Sequence, residues 1–226
     1  MKKFLLLIIV PALLVFLLII VLLPADVEIY TNADGVSGAV GSLQPRAMEL
    51  DGLTIKAQPD STTCGITTVA VISNYYNDTD FEANDLMAKH GSKGTTDMAE
   101  LLEKELPGKT IAFKSNVTNE EMIRDIHASL KSNDPVAVYF GAPNPFNEPY
   151  YDSHGSVVCG IDLENESIAI GNSYGYREVI PLVDFLNRMS YAERDRYTPA
   201  QLFVWKFTRV NRNQYFLIED ACLAAN

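Results

Sequence analysis

"QPDSTTCGITTVAVISNYY", residues 58–76, carries a glutamine, five residues, then a cysteine followed by glycine and a long run of small and β-branched side chains. By propensity the run after Cys64 is a strand. By spacing it fits a helix equally well, because Ile66, Val69, Ala70, Ser73 and Tyr76 follow the i, i+3, i+4 pattern of one helical face. The two readings differ in chemistry. A thiol attacks as its thiolate, and a helix N-terminus or a neighbouring imidazolium lowers its pKa enough to populate that form. A helix beginning at Cys64 places the sulfur at such a terminus, with Gly65 allowing a substrate backbone to come close.

The segments around this stretch read more simply. A short strand is expected over Leu53–Lys56. Asp80 to Lys89 forms a helix ended by His90 and Gly91, and Thr96 caps another whose apolar stripe is Met98, Leu101, Leu102 and Leu106. "TIAFK" is a strand, Thr118 and Glu121 form a capping box for a helix burying Ile123, Ile126 and Leu130, and "PVAVYF" is a buried strand. Further on, "SVVCGID", "SIAIGN", "REVI", "LFVWKFT" and "QYFLI" read as strands, interrupted by a helix that begins at Pro181 and carries Leu182, Phe185, Leu186 and Met189. Helices first and a largely antiparallel sheet second is the α+β order.

The N-terminus adds a separate signal. Residues 4–23 form an apolar run long enough to span a bilayer, preceded by Lys2 and Lys3 and followed by Asp26 and Glu28. The expectation is a signal anchor over residues 1–24 with the N-terminus cytoplasmic, a tether over 25–47, and a folded domain over 48–226 outside the cytoplasm, periplasmic or extracellular. Secretion after signal cleavage is the alternative, although the run is long for a signal peptide and "LLPAD" has no small-x-small cleavage site. A net charge of −11, with no basic cluster after the anchor, argues against nucleic-acid binding. Three cysteines are too few for a disulfide framework; Cys159 with Cys222 is the pair expected if one forms, and two unbridged buried thiols are the alternative.

If Cys64 is a nucleophile it needs an imidazole. His90 ends a helix, where the dipole favours it, and His127 lies in a helix interior. His154 enters a strand directly after "GAPNPFNEPYYDS", a loop suited to a cleft wall, and is the candidate base. Asn172, one hairpin beyond, is placed to orient the ring; Asp162 lies too far along the strand of His154. Gln58 and the backbone N–H of Cys64 form a candidate oxyanion site.

In this order "QPDSTTCG", "HGSVVCGID" and "IGNSYG" resemble the Gln, Cys, His and Asn/Asp sites of papain-like cysteine peptidases, and "NSYG" is similar to the Asn-Ser-Trp-Gly run of papain itself. Spacing and the middle segments, "KGTTDMAELLEKEL" and "IRDIHASLKSNDPVAVYF", resemble the bacteriocin-processing, double-glycine leader peptidase-like branch over residues 55–190. The resemblance implies a papain-like α+β fold with a central Cys-bearing helix packed on a mostly antiparallel sheet. It also implies Cys64 as nucleophile, His154 as general base and acid, Asn172 as orienter and Gln58 as oxyanion donor. That branch usually has Asp where this chain has Asn172, and its leader peptidases act on the cytoplasmic side, so the leader substrate does not carry over.

The function expected is a membrane-anchored, extracytoplasmic thiol hydrolase that cleaves peptide or other amide bonds through a thioacyl intermediate, with an ion pair between Cys64 and His154 supplying the thiolate. No metal or other cofactor is expected, and the partner is a peptide or protein substrate. An acyltransferase or transpeptidase using the same site, and a catalytically silent peptide-binding module, are the alternatives.

Overall fold

The computed structural model describes residues 11, 29–31, 36, 41–91, 97–146, 148–208 and 211–221. The expected anchor over residues 4–23 lies outside these apart from Pro11, as do Thr96 and Cys222. Among the described residues no helix is long and apolar enough to cross a membrane.

The stretch after Cys64 is a helix, α1 (Cys64–Asn77), in which every residue from Gly65 to Asn74 is buried. A helix buried on every side belongs to the interior of the protein, and that burial outweighs strand propensity. Its threonines are absorbed locally: Thr67 Oγ1 donates to the Thr63 carbonyl and Thr68 Oγ1 to the Cys64 carbonyl, both at 2.9 Å.

Two short helices follow, α2 (Ala83–His90) and α3 (Met98–Glu105). The first starts later than expected, because Glu82 and Asp85 form a reciprocal capping box, and it ends at Gly91 in the left-handed region. The side chain of Asp97 caps α3 by accepting from the N–H of Ala99. After β2 (Lys109–Lys114) comes α4 (Asn119–Lys131), whose cap Thr118 accepts from the N–H of Glu121 as the sequence implies.

The remaining strands are β3 (Val136–Pro143), β4 (Tyr151–Asp162), β5 (Ser167–Asn172), β6 (Tyr176–Pro181) and β7 (Gln214–Asp220), with α5 (Leu182–Ser190) after β6. They form an antiparallel sheet in the order β2-β7-β3-β4-β5-β6, and β1 (Ala47–Glu49) pairs with the far end of β4. Alternation along the strands divides the core. Ala137, Val157, Phe216 and Ile218 face α1, α2 and α3, while Val136, Val138, Phe140, Tyr215 and Leu217 face α4 and α5.

Two expectations are corrected. "LFVWKFT" is not a strand but lies in α6 (Pro199–Thr208). Thr198 and Gln201 exchange hydrogen bonds across its first turn, Thr198 N–H to Gln201 Oε1 at 2.7 Å and Gln201 N–H to Thr198 Oγ1 at 3.2 Å. Leu53–Lys56 joins no ladder either. It crosses the sheet, with Leu53 and Ile55 over Gly171, and only Ala57 forms a bridge, to Tyr174. Within the span read as a tether, described residues make contacts. Tyr30 exchanges hydrogen bonds with the Asn187 amide at 2.8 and 2.9 Å, and Val36 is buried in the core.

Candidate active site

The site lies where the N-terminus of α1 meets the middle of β4. Two glycines allow the approach. A Cβ on Gly155 would stand 3.3 Å from both N and Cα of Gly65, so the pairs Cys64–Gly65 and His154–Gly155 come together at backbone contact distance. No side chain caps α1, which leaves the first N–H groups of the helix available. Those of Gly65 and Cys64, together with the N–H of Gly155, interact with the Cys64 sulfur. The sulfur therefore abuts the peptide that carries His154.

His154 is 2% exposed. Its Nε2 is 2.8 Å from Asn172 Oδ1 and 3.0 Å from Ser173 Oγ. Asn172 is itself fixed: Oδ1 accepts from the Tyr174 N–H at 3.0 Å, and Nδ2 donates to Glu178 Oε1 at 2.8 Å. With Oδ1 facing the ring, Nε2 carries the proton and Nδ1 is left as the basic nitrogen. The turn that sets Asn172 requires Gly175, whose φ is +97° and where a Cβ would come within 2.8 Å of the Ala57 Cβ.

Gln58 enters from the segment bridged to that turn. Its N–H donates to the Ser173 carbonyl at 2.6 Å, and its Oε1 accepts from Ser173 Oγ at 3.2 Å. Its Nε2 donates to the Asp60 carbonyl at 2.5 Å, so in this conformation the amide N–H serves the loop rather than the sulfur. The N–H groups at the start of α1, which no side chain caps, are the donors already in place for an oxyanion.

Burial pushes the Cys64 thiol above its ordinary range, against the pull of the Gly155, Gly65 and Cys64 N–H groups. Burial likewise lowers His154 to about 4, although the Asn172 hydrogen bond favours the charged ring. Both shifts work against the thiolate–imidazolium pair expected from the sequence.

Gln58, His154 and Asn172 thus meet around Ser173, and Cys64 lies against Gly155, the neighbour of His154. The other histidines are elsewhere: His90 pairs with Glu105, and His127 Nε2 lies 2.8 Å from the Pro45 carbonyl. Asp162 sits in the turn at the far end of β4, accepting from Asn165. Cys159 is a buried free thiol.

Sequence reasoning gave no role to Ser173, Tyr174, Glu178 or Asp152. Tyr174 stacks on His154, and Asp152 adds to the upward pressure on the Cys64 thiol. Asp152 is held by the side-chain amides of Asn144 and Gln201. Ser173 and Tyr174 stand inside "NSYG", the motif that supplied Asn172, and that adjacency was the available signal.

The model of the Peptidase_C39 like family matches residues 51–198. No curated protein is matched. Among solved structures, the peptidase domain of Streptococcus ComA, a bi-functional ABC transporter involved in quorum sensing, is similar at 14% identity and a TM-score of 0.48, covering 75% of this chain and 99% of that one. A Bacillus anthracis protein described as a C39-like peptidase is similar at 15% identity and a TM-score of 0.46, covering 77% and 98%. A double glycine motif protease from an AMS/PCAT transporter, solved with its leader peptide, gives 11% identity and a TM-score of 0.42, covering 77% and 99%.

Proposed function

The chain belongs to the Peptidase_C39 like family, and we propose that it is a cysteine peptidase-like hydrolase that cleaves peptide or other amide bonds through a thioacyl intermediate on Cys64. The observation that carries this reading is the 2.8 Å contact of His154 Nε2 with Asn172 Oδ1, which leaves Nδ1 as the basic nitrogen on a residue whose neighbour, Gly155, contacts the Cys64 sulfur. As the sulfur attacks the carbonyl carbon, its proton passes to His154 Nδ1. The N–H groups at the start of α1 receive the negative oxygen, and Gln58 joins them by releasing Asp60. His154 then gives the proton to the leaving amine, and water, deprotonated by the same nitrogen, releases the acyl group.

The domain acts outside the cytoplasm, held at the membrane by residues 4–23. Support for this placement is the length of the apolar run and the lysines that precede it. The partner is a peptide or protein substrate.

The test is incubation of the full-length chain with a proteome-derived peptide library, with new N-termini read by mass spectrometry. Cleavage is expected from the wild type and lost in Cys64→Ala and His154→Ala. Equal product patterns in all three would end the peptidase reading. Extraction by alkaline carbonate, together with protease accessibility in intact cells, tests the placement.

A further inference from the structure

Asn172 has two chemically different ends on one flat amide, and turning it over would present a donor to His154 instead of an acceptor. The side chain is fully buried, so neither end can turn to water. Nδ2 lies 2.8 Å from Glu178 Oε1 and 3.5 Å from the Tyr176 hydroxyl. An ionised carboxylate accepts and never donates, so it selects the orientation in which Nδ2 faces it and Oδ1 faces the ring. Glu178 is in turn held from its other oxygen. Oε2 lies 3.6 Å from Arg188 Nη1, with the two side chains only 17% and 14% exposed.

We propose that Glu178 is a positioning residue for the reaction: through Asn172 it fixes the Nε2–H tautomer of His154 and so reserves Nδ1 for the Cys64 proton. The assignment rests on the peptidase reading given above. Its second effect is electrostatic. Glu178, Asn172 and His154 form a hydrogen-bonded line in a buried setting, with Arg188 as an ion-pair partner of the carboxylate beyond hydrogen-bond reach, and such chains polarise one another. The carboxylate makes Oδ1 a stronger acceptor when His154 becomes imidazolium, so the benefit is larger in the charged state than at rest.

Replacing Glu178 with Gln removes the charge and keeps the size. Replacing Asn172 with Asp moves a charge directly beside the ring, but with Glu178 present it puts two carboxylates in hydrogen-bond contact, which is unfavourable. Together the two changes restore a single carboxylate, since a Gln at 178 can donate to an Asp at 172. In the full-length chain, alkylation of Cys64 by iodoacetamide at pH 7 is expected to slow about tenfold in each single variant, the scale on which orienting partners act. The double variant is expected to return to within about threefold of wild type. A merely structural Glu178 gives no such reciprocal recovery.

The assignment is overturned if Glu178→Gln reacts like wild type, or if the double variant is slower than either single one. A second measurement needs no substitution. Histidine ¹⁵N chemical shifts at pH 7 should show His154 as the Nε2–H tautomer, and the Nδ1–H form would overturn the assignment. Recovery of alkylation without any peptide cleavage would uphold Glu178 while ending the hydrolase reading, so the two failures are distinguishable.

Discussion

Tyr174 lies flat on His154, with ring centroids 4.0 Å apart and 19° between the planes. Phe146, 58% exposed, meets the other side of that stack with an edge-on contact to Tyr174 at 6.2 Å. The tyrosine covers one face of the imidazole, and burial is the main cause of the low His154 pKa, about 4.

This gives a stability prediction with a definite sign. Between pH 6.5 and about 4 the unfolded chain holds a proton on this histidine that the folded chain refuses. Folding stability therefore falls as pH drops through that window, by a total of about 3 kcal/mol, and the loss levels off below it. Tyr174→Ala lets water reach the ring and raises its pKa, so the variant should lose less on acidification than wild type. Urea midpoints at pH 7.5 and 4.5 for both proteins measure the difference, and equal losses would show that Tyr174 does not shield His154.

With the thiol pushed up and the imidazole pushed down, burial favours a protonated Cys64 at neutral pH. The rate of its alkylation should climb steadily from pH 7 through pH 9. A flat region between pH 5 and 8 would instead identify a preformed thiolate–imidazolium pair and refute the neutral description. His154→Ala should slow the reaction at pH 7 by about a hundredfold, the usual worth of a positioned base.

Gly155→Ala probes the contact between α1 and β4. The added methyl meets the backbone of Gly65 at 3.3 Å and Met98 Cε at 3.2 Å, and backbone gives way less easily than a methionine tip. The expected cost in stability is about 1–2 kcal/mol. A proportionally larger effect is expected on Cys64 alkylation, because the helix start is displaced from His154. Thermal melting and alkylation measured side by side would expose the opposite ordering if it holds.

A different carboxylate holds the far end of the helical layer. Glu105 closes α3 and is 2% exposed, paired with Lys89 Nζ at 2.8 Å and with His90, both in the last turn of α2. Ser73 and Asn77 near the end of α1 join the same cluster at 3.4 and 3.2 Å. Burial raises the Glu105 pKa, but the Lys89 and His90 hydrogen bonds outweigh it and hold the group below the ordinary carboxylate range. Glu105→Ala should cost about 2 kcal/mol, less than for a fully enclosed pair because half-exposed Lys89 can turn to water. Denaturant titration measures this, and Cys64 alkylation by the folded variant should stay at the wild-type rate.

Much of the site was legible because its parts are local. Cys64 with Gly65, His154 with Gly155, and Asn172 in its turn each sit in short motifs whose chemistry can be named before any fold is known. The helix after Cys64 was half legible: its i, i+3, i+4 spacing was visible, but only burial on every side decides against its β-branched residues. The α6 error has the same origin with the opposite outcome. Leu202, Phe203, Val204 and Trp205 read as a strand by type, whereas Thr198, Pro199 and Gln201 already spelled a helix start. Leu53 and Ile55 alternate correctly, yet alternation records which side chains face the protein and not whether the backbone pairs with a neighbour. Glu178 was invisible for a further reason. Its importance comes from meeting Asn172 across a hairpin and Arg188 from α5, and neither contact is written in the strand that carries it.

The enclosure of Cys64 also bears on its chemical lifetime. Oxidants attack the thiolate, so a nucleophile that gives up its proton only as it reacts is a poor target for sulfenic acid formation while idle. Cys159, buried and pushed up to about 11, is held toward its protonated form by the same cause. Burial thus lowers the thiolate fraction on which oxidation of either thiol depends.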